Sequence, residues 1–242
     1  DPFLVLNGDV ISDINYRRLV EFHHQKGGLA TIAVFQVPDP SRYGAVEIDG
    51  DGRIQRFVEK PEPGKAPSNL VNAGRYLLEP EVFDVILNGR VVSLEREVFP
   101  QIIPRGLYAF REEGYWSDAG TLPAYLEAQR LLLEHGGGGV AKPAEVSRGD
   151  ITSPVLIAAG CFVEGRIGPN VVLGRGCKVG RSSIRNAALF DGASVDDKGE
   201  IESSMIGEGA AIGEGAVVRN TIVGDGVQVA PHAKLLRARV DR

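Results

Sequence analysis

Along the first half of the chain, short apolar runs alternate with stretches whose apolar residues recur at helical spacing, and glycine, proline and asparagine punctuate the changes. Strands are predicted at Phe3–Leu6, Leu29–Val37, Ala45–Ile48, Arg53–Val58, Tyr76–Leu78 and Leu107–Phe110, with Asp49-Gly50-Asp51-Gly52 as a hairpin turn between two of them. A helix capped by Asp13 is expected to run to Lys26 and stop at Gly27-Gly28, and a short one to open at Pro80 and end before Asn88-Gly89. A last helix follows Thr121, with Tyr125, Leu126, Ala128, Leu132 and Leu133 on helical spacing until the run Gly136–Gly139. Alternation of this kind predicts an α/β domain over residues 1–135 with a mixed, mostly parallel sheet, then a glycine-rich linker over 136–150.

Beyond the linker the rhythm changes. Aliphatic residues recur every sixth position in three runs: Ile167, Leu173 and Val179; Ile206, Ile212 and Val218; Val223, Val229 and Leu235. Small residues four positions on, among them Cys177, Ser183, Ala210, Ala216, Val227 and Ala233, suit the tight corners between flat six-residue faces. The prediction for 151–242 is a left-handed parallel β-helix of hexapeptide repeats, with Arg185 to Ser204 as a degenerate coil or an insertion.

Composition narrows the function classes. The chain has 242 residues, 43% hydrophobic and 24% charged, with a net charge of -5 that leaves no basic surface for nucleic acid. No apolar run is long enough to span a membrane and the first residues are not a signal peptide, so a cytoplasmic protein is expected. Cys161 and Cys177 have no C-x-x-C partner and read as reduced, buried side chains. The chain opens with Asp1-Pro2 directly before a buried-type strand, so further residues are expected upstream.

Several short motifs carry candidate chemistry. Asp9, in Leu6-Asn7-Gly8-Asp9, follows the carboxyl end of a strand, where open α/β sheets place ligands, and Asp118 lies just before a helix among small residues. Either carboxylate suits a hard cation such as Mg²⁺, and either is equally at home as a turn or cap residue. Glu59-Lys60-Pro61 ends a strand with an acceptor for sugar hydroxyls beside a point charge for a phosphate, or with an ordinary solvated strand end. Asn72-Ala73-Gly74 sets an amide beside a glycine that lets a ring approach the backbone, or is a plain loop-to-strand turn; Tyr43-Gly44 is a similar loop glycine.

In this order and spacing, Leu-Asn-Gly-Asp, Tyr-Gly, Val-Glu-Lys-Pro, Asn-Ala-Gly and Trp-Ser-Asp-Ala-Gly-Thr resemble the sugar-1-phosphate nucleotidyltransferase family over residues 3 to about 133. The stretches from Asn72 to Val82 and from Ser93 to Pro100 look most like mannose-1-phosphate guanylyltransferases, as does the β-helix tail. The resemblance implies part of a Rossmann-like nucleotidyltransferase domain that makes a sugar nucleotide and pyrophosphate from a nucleoside triphosphate and a sugar 1-phosphate. GTP and mannose 1-phosphate giving GDP-mannose are the implied pair. It also implies that Asp9 and Asp118 hold Mg²⁺, Glu59 and Asn72 grip the sugar, Lys60 meets its phosphate, and Gly44 and Gly74 shape the sugar pocket.

Two departures stand out. The family opens with a glycine-rich phosphate loop ending in Thr-Arg-Leu that has no counterpart here, and Arg75 stands where the family has an aliphatic residue. A non-catalytic regulatory or assembly homologue is the alternative reading. An acyltransferase is a further rival, weakened because His232 is the one histidine of the repeat region and sits in regular repeat. The exposed coil stack also points to a homo-oligomer through the β-helix.

Overall fold

The computed structural model describes residues 1–86, 89–142, 144–147 and 149–241. Packing divides the chain into two compact units, Asp1–Trp116 and Ser117–Arg242.

The first unit is built on one sheet. Its strands are β1 (Phe3–Leu6), β3 (Ala30–Gln36), β4 (Gly44–Ile48), β5 (Ile54–Glu59), β6 (Leu70–Leu78) and β7 (Leu107–Arg111), in the order β5-β4-β6-β3-β7 with β1 also on β6; β2 (Val10–Ser12) lies outside it. The sheet is mixed, as expected, but its balance differs from the mostly parallel one anticipated: β3 and β7 run parallel, and β1–β6, β3–β6, β4–β5 and β4–β6 are antiparallel. The hairpin is the physical reason for one of these pairs, since so short a connection permits only antiparallel pairing. Asp49 makes that turn by accepting from the Asp51 and Arg53 N–H groups at 3.0 and 2.9 Å.

Strand β6 begins well before the expected Tyr76, because Asn72-Ala73-Gly74 is a bulge within the strand and not a loop. Ile32 pairs with Tyr76 but Val34 with Asn72, so the register slips at the bulge, where Gly74 takes φ +69°. Helix α1 (Tyr16–Lys26) is capped by Asn15, which accepts from the Arg18 N–H at 3.1 Å, rather than by Asp13. Asp13 instead accepts from the Tyr115 N–H at 3.0 Å. Pro80 opens a 3-10 turn to Val85 as predicted; Asn88, its expected end, lies outside the described residues. Strand alternation sends Ala33 and Phe35 toward Leu19 of α1, and Ile32 and Val34 into the opposite core with Tyr76 and Phe99. Phe99 belongs to α2 (Phe99–Ile102), which continues a helical turn at Leu94–Val98.

The second unit is a three-faced parallel β-helix preceded by α3 (Leu122–Leu132). Three inward columns run through it. One is Ile157, Leu173, Leu189, Ile206, Val223 and Val240; the next is Val146, Val163, Val179, Val195, Ile212 and Val229; the third is Ile151, Ile167, Ile184, Ile201, Val218 and Leu235. The columns reach back into 136–150, so coil pairing starts inside the glycine-rich segment. Arg185 to Ser204 is no insertion: Ser183–Leu189 pairs along Glu200–Ile206 as a regular rung. The six-residue period breaks there because one side of the later coils is a residue short, turning at Asn186, Ser203 and Asn220, all at positive φ.

Cys161 and Cys177 are free and buried, as expected, and burial pushes the Cys177 thiol up to about 12. His232 is exposed at a corner. Helix α3 is pinned to the coils by Gln129, whose Nε2 donates to the carbonyls of Asn170 (3.0 Å) and Ala187 (3.2 Å), while Asn170 Nδ2 donates to the Leu126 carbonyl (3.2 Å) and to Asn186 Oδ1. Among the described residues no helix is long and apolar enough to cross a membrane.

Candidate active site

Three strand ends and one bulge carry the candidates of the first unit. The turn after β1 is tied to the β6 bulge, because the Asn7 N–H donates to the Gly74 carbonyl at 2.8 Å. Gly74 is required there twice over: a Cβ would stand 2.8 Å from Asn7 Nδ2, and the positive φ disfavours any side chain. Asp9, two residues on, is exposed and makes no ion pair among the described residues.

Gly44 opens β4 directly opposite Glu59 at the end of β5, and a Cβ at Gly44 would stand 2.8 Å from Glu59 Oε2 and 2.6 Å from the Phe57 ring. Here too glycine is what leaves room for the neighbouring side chain. Lys60 leaves the strand at φ +48°, its N–H donating to the Tyr43 carbonyl at 3.0 Å, which turns it out to solvent beside Glu59.

Between these ends lies a polar chain that sequence reasoning did not assemble. The Asn72 amide donates to the Tyr76 hydroxyl (2.9 Å), that hydroxyl donates to Glu95 Oε1 (3.3 Å), and the Ser93 hydroxyl donates to Glu95 Oε2 (3.0 Å). The bulge keeps the amide fixed, since Asn72 Oδ1 accepts from the Gly74 N–H at 2.9 Å. Glu95 is the missed member. It comes from the Leu94–Val98 turn, and its only signal in the sequence was a glutamate two places after a capping Ser93.

Electrostatically, Glu59 is held above its ordinary range, chiefly because burial disfavours the carboxylate and next because Glu95 faces it; Lys60 and Arg96 pull the other way. The Tyr76 phenol is also driven up by burial and stays a neutral donor. On the α1 face of the sheet, Tyr43 meets Trp116 edge-on at 5.0 Å, the Phe35 ring stacks on Trp116 at 6.4 Å, and the Trp116 indole N–H donates to the Ala73 carbonyl at 3.1 Å. The first unit thus links Gly44, Glu59 and Lys60 at one hairpin end with Asn72 and Gly74 at the bulge, through Glu95 and Tyr76.

Asp118 falls in the second unit, partly buried, with Oδ1 accepting from the Gly120 N–H at 2.6 Å. Among the described residues no cluster of three or more His, Cys, Asp or Glu side chains is disposed to hold a metal. Hard cations that keep positions for phosphate use one or two carboxylates, and an exposed, unpaired Asp9 fits that donor chemistry.

Comparison with known proteins bears on this geometry. Residues 1–135 match the model of the nucleotidyl transferase family. The chain belongs to the nucleotidyl transferase family. Residues 151–240 match a second model, the GMPPB C-terminal domain. Mannose-1-phosphate guanylyltransferase 1 of Arabidopsis thaliana is 37% identical over 242 residues, covering 95% of this chain and 64% of its own length. The mannose-1-phosphate guanylyltransferase of Mycobacterium tuberculosis is 34% identical over 205 residues, 81% of this chain and 54% of its own. The mannose-1-phosphate guanyltransferase of Yarrowia lipolytica is 45% identical over 134 residues, 54% of this chain and 36% of its own. The chain spans less than two thirds of the length of these relatives.

Proposed function

We propose that the full protein transfers GMP from GTP to mannose 1-phosphate. A phosphate oxygen of the sugar 1-phosphate bonds to the α-phosphorus of GTP, the bond from that phosphorus to the bridging oxygen breaks, and pyrophosphate leaves with GDP-mannose formed. The observation that supports the reading is the linkage of Glu59, opposite Gly44, with the Asn72 amide through Glu95 and the Tyr76 hydroxyl, in a chain whose relatives bear the guanylyltransferase name.

In this reading Glu59 and the Asn72 amide grip sugar hydroxyls, with Gly44 and Gly74 leaving room for the ring, and Lys60 meets the sugar phosphate. Both reactants are anions, so catalysis rests on charge neutralisation and on holding nucleophile and phosphorus in line. A divalent cation, Mg²⁺ in our reading, would neutralise phosphate charge, with Asp9 and Asp118 as the candidate carboxylate ligands. Residues 1–135 carry this chemistry and 151–242, with the coil pairing that begins within 136–150, serve as an assembly domain, forming a homo-oligomer in the cytoplasm. Light scattering that returns a strict monomer removes the assembly role.

The test is pyrophosphate release by the full-length protein with mannose 1-phosphate, Mg²⁺ and each nucleoside triphosphate in turn. Release with GTP supports the guanylyltransferase reading. Release only with another triphosphate reassigns the base, and none with any triphosphate points to a non-catalytic regulatory or assembly subunit.

A further inference from the structure

Arg75 is 6% exposed, within β6 at the edge of the bulge and opposite Leu6 of β1. A hydrocarbon side chain would fill such a place without penalty, whereas a buried cation loses its hydration and needs compensation. Its partners are unusual for that purpose. Nε donates to the Tyr16 hydroxyl (3.1 Å), Nη1 to the carbonyls of Asn7 (2.8 Å) and Gly74 (3.0 Å), and Nη2 to the carbonyl of Val10. All four acceptors are neutral oxygens, so the side chain is no half of a buried ion pair. What these acceptors share is position: Asn7 and Val10 bracket the turn that carries Asp9, Gly74 is the bulge beneath it, and Tyr16 opens α1.

We propose that Arg75 is a positioning residue that locks the Asn7–Val10 turn so that the Asp9 carboxylate is held ready for a divalent cation. The inference rests on the reading of Asp9 as a metal ligand. Geometry, not charge, is what Arg75 supplies. Its planar fork directs donors to three carbonyls and a hydroxyl at once, which the point charge of a lysine cannot do, and positive charge alone would repel the cation. The free energy of ordering the turn is then met on folding and not on binding.

The test uses the full-length protein with Arg75→Lys, Arg75→Met and Asp9→Asn. Manganese affinity is read from the free-ion paramagnetic resonance signal with GDP-mannose present, and turn mobility from hydrogen exchange over residues 7–12. Both Arg75 variants are expected to weaken Mn²⁺ binding by roughly 10- to 100-fold, the range for lost supports of metal ligands, and to speed exchange in the turn. Wild-type Mn²⁺ affinity in Arg75→Lys would make the role one of charge, and wild-type affinity in Arg75→Met one of packing; either overturns the proposal. Should Arg75→Met fail to fold, the lysine variant decides. Asp9→Asn separates the two levels: unchanged Mn²⁺ binding there, with Arg75 intact, sinks the metal reading of Asp9 itself.

Discussion

Glu59→Gln should make the protein more stable and the enzyme worse. The carboxylate is partly buried, and its raised protonation range arises first from burial and second from Glu95. Raised above its ordinary value of 4.5, the group favours folding while it is protonated, and that contribution fades as pH rises through the folded-state value. Glutamine never ionises. The variant and the parent should therefore be alike in acid, and a gap in favour of the variant should open as pH climbs above 4.5. Because the site is open enough for solvent to screen the charge, the gap should stay under about 1 kcal/mol. Sugar binding moves the other way: a hydrogen bond to a charged acceptor contributes about 1.5–3 kcal/mol, so kcat/KM for the sugar phosphate should fall roughly 10- to 150-fold. Urea midpoints at a series of pH values and pyrophosphate release at varied sugar phosphate read the two effects. A variant less stable than the parent at pH 8, or a stability difference that does not change with pH, would refute the electrostatic argument. An unchanged KM would remove Glu59 from the sugar site.

Other substitutions separate the remaining roles. Asp9→Asn should lower kcat by about 100-fold or more with little change in folding, while Lys60→Ala should mainly raise KM for the sugar phosphate, as steady-state kinetics would show; small, equal losses from both would undo the assignment. Gly44→Ala inserts a Cβ 2.8 Å from Glu59 Oε2 and 2.6 Å from Phe57, so it should cost about 1–3 kcal/mol in denaturation and raise the sugar phosphate KM by displacing Glu59. Asn170, at φ +56° and hydrogen-bonded to α3 and Asn186, offers a comparison. Asn170→Gly should lose about 1–3 kcal/mol from its hydrogen bonds, and Asn170→Ala about 1–2 kcal/mol more from backbone strain, measured by urea unfolding of the pair.

The β-helix was legible because each coil repeats one local rule: an inward aliphatic residue, then a tight corner. The rule failed where the corner changed. At Asn186, Ser203 and Asn220 a left-handed residue turns the chain one position early, and a strict six-residue template then reads a regular rung as a degenerate coil or an insertion. The first unit was harder for a related reason. Strand positions follow from apolar runs, but which strands become neighbours depends on pairings distant in sequence, and the Asn72–Gly74 bulge looks locally like any asparagine-glycine turn. Only the register slip between β3 and β6 shows that the strand continues through it.

The same distinction between local and distant explains which parts of the site were readable. Asp9, Glu59, Lys60 and Asn72 each sit in a short motif whose residues are sequence neighbours, so type and spacing could nominate them. Glu95 could not be nominated, because its meaning lies in facing Glu59 and accepting from Tyr76, contacts that exist only once the Leu94–Val98 turn packs over the sheet. Arg75 was visible in the sequence as an oddity, a cation in an apolar strand, with no reason attached. The reason is the set of carbonyls it gathers: Asn7 and Val10 lie 68 and 65 residues upstream, in the turn after β1, and the β1–β6 pairing brings them within reach. A residue that breaks the local pattern is thus best read as a response to a non-local demand, and here that demand centres on the turn carrying Asp9.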